Sequence, residues 1–520
     1  MPAPPGAGAA ADAIRLSLFA SRVAAICDEM GALLGRVAFS PNIRDRLDYS
    51  CALFDPQGHL LGQATHIPVH LGSMAFAMRD LVGKRRWHPG DMLVLNDPFR
   101  GGTHLPDVTF VAPVFLARQL VGFCANRAHH ADIGAEAPGS MPVSGSLAEE
   151  GVLISPRKLI RRGELDEQWL SELLGRLNDP AAARGDFSAQ IAANRLGVQR
   201  LQALVEAFGV EPFGALSKDL QAYAERLALA SIGTLPAGRY EFADVLDDDG
   251  VAARDIAIHL ALEIAPGGIH LDFAGSARQV PGNLNCPLSV TAAAVFYVFR
   301  CLMPEQVPAC HGAMRPFTLS APSGCLLNAE PPAAVAAGNV ETSMRVVDVV
   351  CGALAKALPD AIPAASQGTM NNLAMGARGA EGWDYYETLA GGLGAGPDCD
   401  GRSARHSHMT NTLNTPVEIL ERHYPLRILR YAIRRDSGGR GRFRGGHGVI
   451  REYAFLAPAQ CSIISERRRH APWGAQGGAP GAAGRNLLDG KQIPPKCQQP
   501  VAAGQVLRIE TPGGGGFGAG

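Results

Sequence analysis

No uncharged apolar run in this chain of 520 residues reaches the ~20 positions a membrane helix needs. The nearest, PLSVTAAAVFYVF at 287–299, stops at Arg300 and reads as a buried helix. Excess charge of either sign is missing: 48 Lys+Arg stand against 49 Asp+Glu, a net charge of -1. That balance leaves no electrostatic footprint for nucleic acid or an anionic membrane. The 11 cysteines are scattered and form no C-x-x-C, as expected of reduced thiols in a cytoplasmic protein. The start, MPAPPGAGAAADA, lacks the basic region and apolar core of a signal peptide. No G-x-x-x-x-G-K-[ST] is present, and Pro397 breaks the dinucleotide pattern in GGLGAGPDCDG at 391–401. There is no G-x-S-x-G and no repeat of 20 to 50 residues.

What the chain has in abundance is glycine, 61 residues, against an average of about 7%. Its length allows two to four domains. Residues 1–11 read as a disordered tail. A helix follows from Asp12, with Ile14, Leu18, Val23, Ile26, Met30 and Leu33 near one face and Gly35 as its stop. SCALFDPQGHLLGQ (50–63) reads as a hairpin about Asp55-Pro56-Gln57-Gly58. Strands are expected at 91–96, 107–116 and 120–128, then helices over 157–230. A second region opens near 238, with helices over 287–299 and 337–358, the latter packing through Met344, Val347, Val350 and Leu354. From about 426 Arg and Gly dominate, and the Arg-rich strand at 427–444 reads as a solvated or subunit-facing surface. TPGGGGFGAG reads as mobile or as a backbone-amide nest. The expected fold is mixed α/β (α+β), strand-rich at both ends with helices between. Its expected units are 12–235, 236–425 and 426–520.

The segment VLNDPFRGGTHLPDVTFVAPVF (94–115) sets His104 three positions before Asp107, and NRAHHADIG follows. Strands 107–116 and 120–130 flank a short turn near Arg118, an antiparallel hairpin. With a two-residue turn at Arg118-Gln119, Asp107 lies opposite His130. With the turn at Ala117-Arg118, Asp107 pairs with Ala128 and His130 is its diagonal neighbour. Either way, period-two alternation puts Asp107 and His130 on one face and His129 on the other. A three-residue loop would swap the two histidines. His104, Asp107 and His130 are therefore the candidate ligands, a set suited to zinc, manganese or iron with positions left open. Asp132 and His129 are candidate supporting groups. The ordinary alternative is loop capping by His104 and a backbone contact for His130.

His66 and His70, four apart in THIPVHLGSM, are candidate substrate contacts or an extra ligand. Pro68 between them argues for extended structure. Arg100, in the loop before His104, joins them as a substrate-binding candidate. In RHSHMTNT, His406 and His408 are expected on one face of a strand. Cys124 and Cys286 read as buried inert thiols.

The chain resembles the hydantoinase B/oxoprolinase family from about residue 12 to its end. The blocks that carry this are SPNIRDRLDYSCALFD, HIPVHLGSM, NDPFRGGTHLPDVT, NRAHHADIG, PGSMP, DFAGSARQVPGNLNCPLSVT, AGNVETSMRVVDV, YYETLAGGLGAGPDCDGRSARHSHMTNT and TPGGGGFG. The resemblance matches His104 and Asp107 to the family's H-x-x-D, and His130 to the histidine before A-D-I-G. Ala128 and Ala135 stand where family members often have glycine, which puts the substrate in question. The resemblance implies a divalent-metal subunit of a hetero-oligomer whose partner, an ATP-binding hydantoinase A-type subunit using ATP and Mg, phosphorylates a small cyclic amide at its carbonyl oxygen. Asp132 or His129 would then take a proton during ring opening. Two other classes stay open: a subunit of an acetone/acetophenone-type ketone carboxylase, and a non-catalytic assembly subunit. Bicarbonate-dependent ketone consumption marks the first. Turnover that survives His104→Ala and Asp107→Ala marks the second.

Overall fold

The computed structural model describes residues 7–379 and 382–520. The chain is mixed α/β. Among the described residues its first strands are β1 (Tyr49–Phe54), β2 (Leu60–Gln63), β3 (Met92–Leu95), β4 (Asp107–Leu116), β5 (Gln119–His129), β6 (Arg157–Arg161) and β7 (Glu164–Leu165). They form one sheet in the order β2-β1-β5-β4-β3-β6-β7. The 50–63 hairpin is present as expected, turning through Asp55 and Gly58 (φ 82°). The stretch from 157, expected to be helical, begins instead with the edge pair β6–β7.

Helices cover both faces of this sheet. They are α1 (Ala7–Val37), α2 (Pro41–Arg44), α3 (Pro68–Gly83), α4 (Glu167–Leu174), α5 (Pro180–Phe208) and α6 (Val210–Ile232). Alternation along each strand sorts the side chains. Leu93, Leu95, Val111 and Ala125 pack with Met74 and Met78 of α3. Val94, Phe110 and Ala112 pack with Phe187 and Ile191 of α5. Helix α1 buries Phe19, Val23, Ile26, Met30 and Leu34, while Ile14 and Leu18 are exposed. The buried stripe thus runs on Leu34 rather than Leu33, and the helix continues past Gly35 to Val37. Part of the tail expected over 1–11 lies outside the described residues, and α1 has already begun at Ala7.

Pro68 does not keep its neighbourhood extended. It occupies the first turn of α3, where its missing N–H costs no hydrogen bond, and His70 lies inside the helix. A second sheet, β8 (Gly238–Asp248), β9 (Arg254–Ala265), β10 (Gly268–Asp272) and β11 (Phe317–Ser320), packs on α7 (Leu288–Leu302) and α8 (Ser343–Ala357). Met344, Val347, Val350 and Leu354 are fully buried there, as expected.

The remaining strands are β12 (Asn372–Ala377), β13 (Trp383–Thr388), β14 (Leu426–Arg434), β15 (Gly448–Phe455), β16 (Ala459–Ile464), β17 (Arg485–Leu488), β18 (Lys491–Gln492), β19 (Lys496–Val501) and β20 (Val506–Glu510). They make the sheets β13-β12-β16-β19 and β14-β15-β20-β17-β18. Residues 405–412 form no strand; His408 has φ 58° and His406 is half-buried.

TPGGGGFG is neither mobile nor a nest: residues 511–517 are buried. Gly514, Gly515 and Gly516 donate to the carbonyls of Gly446, Ala365 and Ala479, and accept from Gly439, Ala395 and Ala475. A Cβ on Gly513, Gly514 or Gly516 would collide with the carbonyls of Ser437, Leu393 and Arg440 respectively. Much of the glycine excess is spent on this interleaving of backbones.

Candidate metal centre

Asp107 opens β4 and His129 closes β5, and the two are register partners. The turn lies at Ala117-Arg118, because Leu116 pairs with Gln119. A β-bulge then places one extra residue, Val121, on β5: Phe115 pairs with Leu120 and Val114 with Gly122. One extra residue reverses the face of everything beyond it. His129 therefore shares Asp107's side, which looks toward α3, and His130 turns toward α5. The expectation that His130 completes the set is corrected to His129. The bulge has the effect expected of a three-residue loop.

His104 comes from the loop between β3 and β4. That loop turns on Gly101 (φ 113°), and Gly102 lies flush against the Asn96 carbonyl, where a side chain has no room. His104 Nε2 is 3.1 Å, and His129 Nδ1 3.2 Å, from Asp107 Oδ1. The three donor atoms lie within 4.8 Å of one another, and all three residues are buried.

The hydrogen bonds sort the two carboxylate oxygens. Oδ2 accepts from Thr103 Oγ1 at 2.6 Å and Asn339 Nδ2 at 3.2 Å. His70 Nε2 stands 3.2 Å from the same oxygen. The Ser50 hydroxyl, which accepts the Ile67 N–H, faces His70 Nδ1 at 3.4 Å, so a proton on His70 Nε2 lies on the side of Asp107. His104 Nδ1–H donates to the Ala336 carbonyl at 3.2 Å, which leaves a lone pair on Nε2. Asp107 Oδ1, His104 Nε2 and His129 Nε2 are buried with no hydrogen-bond partner among the described residues. Two acceptor lone pairs 3.1 Å apart repel unless a proton or a cation stands between them. A carboxylate and two imidazoles arranged so fit a divalent ion with coordination positions to spare.

The electrostatics describe the site without an ion. Burial opposes charge on Asp107, but the His104 and His70 rings and the hydrogen bonds outweigh it and hold the acid well below the usual carboxylate range. Burial likewise opposes a charged His104, yet the Asp107 charge outweighs it and raises the ring's pKa. Burial keeps His129 below the ordinary imidazole value, in the neutral form a ligand requires.

The other candidates scatter. His70 joins the site with its Nε2 3.2 Å from Asp107 Oδ2. His66 sits one turn earlier; its Nδ1 accepts the Cys51 N–H at 3.2 Å, and burial with nearby His70 lowers it to about 4. It borders an apolar cavity of about 320 Å³ between α3 and α7. His130 Nε2 is 2.8 Å from Gln190 Oε1 of α5. Asp132 accepts the backbone N–H groups of Gly134, Asn178 and Asp179 and the Asn178 amide, so it anchors the lead into α5 and touches none of the three. Arg100 is 68% exposed beside Asp97 and is not brought to the centre. Cys124 and Cys286 are buried thiols, raised by burial.

Sequence reasoning missed the groups that close the site from far along the chain. They are Ala336 and Asn339, in the turns before α8, and Tyr386 of β13, whose ring stacks on His129 at 4.9 Å and 14°. Glu150 supports the first of these by accepting the Val335 and Ala336 N–H groups.

The family model for Hydantoinase B/oxoprolinase matches residues 12–520. The chain is 40% identical to 5-oxoprolinase 1 of Arabidopsis thaliana, over 98% of this chain but 42% of that protein. A protein of Pseudomonas sp. (strain NS671), named as a D-/L-hydantoinase subunit, is 31% identical over 98% of this chain and 90% of its own length. Among solved structures, ATP-dependent caprolactamase from Pseudomonas jessenii superposes with TM-score 0.91 at 28% identity, over 97% of this chain and 91% of that one. Acetone carboxylase shares the fold, with TM-score 0.86 at 20% identity, over 97% and 75%. With the match running over nearly its whole length, the chain belongs to the hydantoinase B/oxoprolinase family.

Proposed function

We propose that this chain is the metal-holding subunit of an ATP-dependent cyclic amide hydrolase, acting on a substrate that an ATP-binding partner has phosphorylated. One observation carries the reading: the buried residues His104, Asp107 and His129 each bring a ligand atom within 4.8 Å of the others, and His104 Nε2 and Asp107 Oδ1 have no hydrogen-bond partner among the described residues. The relatives support it. Those above 30% identity include proteins named for 5-oxoproline and hydantoin, and caprolactamase is named for a lactam. A partner is supported by the subunit designation of the Pseudomonas protein and by the length of the 5-oxoprolinase, of which this chain spans about two fifths. The complex would be cytoplasmic and hetero-oligomeric.

A lactam resists water because its nitrogen donates into the carbonyl. Phosphorylation at oxygen removes that protection and installs a leaving group. A divalent ion held by His104, Asp107 and His129 would supply Lewis-acid chemistry at the reacting carbon's oxygen substituents. Thr103, Asn339 and His70 hold Asp107 so that Oδ1 faces the two rings. With His129 Nδ1 given to that ion, the ring's proton would rest on Nε2, which is buried with no acceptor among the described residues. The burial of all three residues keeps bulk water from competing.

The same groups would serve a ketone carboxylase, but acetone carboxylase is similar to this chain in fold alone. The test is coexpression and copurification with an ATP-binding hydantoinase A-type protein, metal analysis, and a screen of cyclic amides and ketones for ATP hydrolysis. Lactam- or hydantoin-stimulated turnover without bicarbonate is expected. Turnover only with ketone and bicarbonate, or full turnover after His104→Ala and Asp107→Ala, overturns the proposal.

A further inference from the structure

Tyr386 donates no hydrogen bond to the three candidate ligands, yet its ring lies nearly parallel to that of His129, centroid to centroid 4.9 Å, at 14°. The His104 ring also lies close, its centroid 5.0 Å from that of His129 and its plane tilted by 56°. Of the two neighbours, Tyr386 alone is stacked on the imidazole. A histidine at the end of a strand has two soft torsions, and the polar contacts of His129 do not fix its plane: Nε2 has no partner among the described residues, and Nδ1 meets only Asp107. The stack is what sets that plane.

The plate is itself fixed. Tyr386 Oη donates to Asn372 Oδ1 at 2.7 Å, and Asn372 Nδ2 donates to Glu341 Oε1 at 2.7 Å. Tyr386 and Asn372 lie on one face of the β12–β13 pair, where Asn372 is opposite Thr388 and Ala374 opposite Tyr386. The Arg46 guanidinium lies over the Tyr386 ring at 4.8 Å, and its Nη1 donates to the Tyr386 carbonyl at 3.0 Å. Gly139 completes the enclosure, since a Cβ there would stand 3.0 Å from Tyr386 Cβ. An aromatic ring restrained on every side, and facing one imidazole, is a device for orientation.

We propose that Tyr386 is a positioning residue: its ring sets the plane of His129 so that Nδ1 faces Asp107 Oδ1, and metal affinity depends on that plane. The inference rests on the metal reading under Proposed function. Outer groups that orient a ligand are commonly worth about 10–100-fold in metal affinity. The test compares Tyr386→Phe, which keeps the plate, with Tyr386→Leu and Tyr386→Met, which keep bulk without a plane. Zn(II) and Co(II) affinities are measured by competition with a chelating dye, and the Co(II) ligand-field spectrum is recorded. Tyr386→Phe should bind within about threefold of the parent with an unchanged spectrum. The leucine and methionine variants should lose about tenfold or more and show an altered spectrum, while still melting cooperatively. The methionine variant supplies the answer if leucine prevents folding. Equal affinity and an identical spectrum in a folded leucine or methionine variant overturn the positioning role while leaving the metal site intact. A parent protein that binds neither ion overturns the metal reading and this inference with it.

Discussion

Asp107 and His129 are direct partners in the β4–β5 ladder, and 3.2 Å separates Oδ1 from Nδ1. Because the two positions are paired in the ladder, the sheet fixes where both side chains start, and the orientation of the His129 ring is left to its neighbours. His104 and the segment before α8 close on it from outside. The neighbouring His130, one residue further, spends its ring on Gln190 in the opposite layer.

That division predicts a clean separation of effects. His129→Ala should abolish tight metal binding while costing little in the stability of the metal-free protein. His130→Ala should keep its metal yet lower unfolding free energy by about 1–3 kcal/mol, since it strips a buried partner from Gln190. Metal content by mass spectrometry and urea melts of chelator-treated protein measure the two. Metal loss in the His130 variant with retention in the His129 variant would reverse the assignment.

Asp107→Asn keeps the shape of the side chain but removes the anionic oxygen. Metal affinity should fall by about a hundredfold or more. The metal-free protein should become less dependent on its protonated histidines, because the charge that raises His104 is gone. Calorimetric metal titration and the imidazole proton signals of His104 by NMR check both halves.

Glu150 gives a pH signature. Burial raises it to about 7, although the Val335 and Ala336 N–H groups and Ser144 pull the other way. A folded-state value above the unfolded one means that its contribution to stability is full below about 4.5 and is lost as pH climbs toward 7. Glu150→Gln preserves the acceptor and removes the titration. Between those limits the variant should gain on the metal-free parent by about 1.4 kcal/mol per pH unit. Parallel stability-versus-pH curves for the two proteins would mean that Glu150 does not titrate abnormally.

Glycine positions differ sharply in what they tolerate. Gly514→Ala drives a methyl into the Leu393 carbonyl and should destabilise by more than about 3 kcal/mol. Gly214→Ala, inside α6 with nothing within 4 Å of the added carbon, should stabilise by about 0.4–1 kcal/mol. Denaturant melts of the pair test the contrast.

Much of the centre is legible in the order of residues alone. His104 and Asp107 share one short loop, and a hairpin follows whose turn falls within a residue of the counted position. What stays illegible is physically distinct. The bulge at Val121 has one faint residue signal, Gly122 beside it, where an added Cβ would stand 2.5 Å from the Phe54 carbonyl oxygen, and a single uncounted residue exchanges His129 for His130. The buried stripe of α1 escapes a reading by apolar spacing because Ile14 and Leu18 are apolar yet exposed, so composition and burial disagree there. Ala336, Asn339 and Tyr386 lie more than 200 residues from the ligands they support, and no periodicity links such distances. Asp132 has the look of a proton carrier because it is a carboxylate beside histidines, but four donors occupy it.

The buried rod at 511–517 carries a consequence for how this region closes. Its three flanking loops, near 392, 440 and 478, each need that late-made stretch as their hydrogen-bonding partner. Those loops can complete their hydrogen bonds only once that keystone peptide lies between them, so closure of this region takes the form of an insertion.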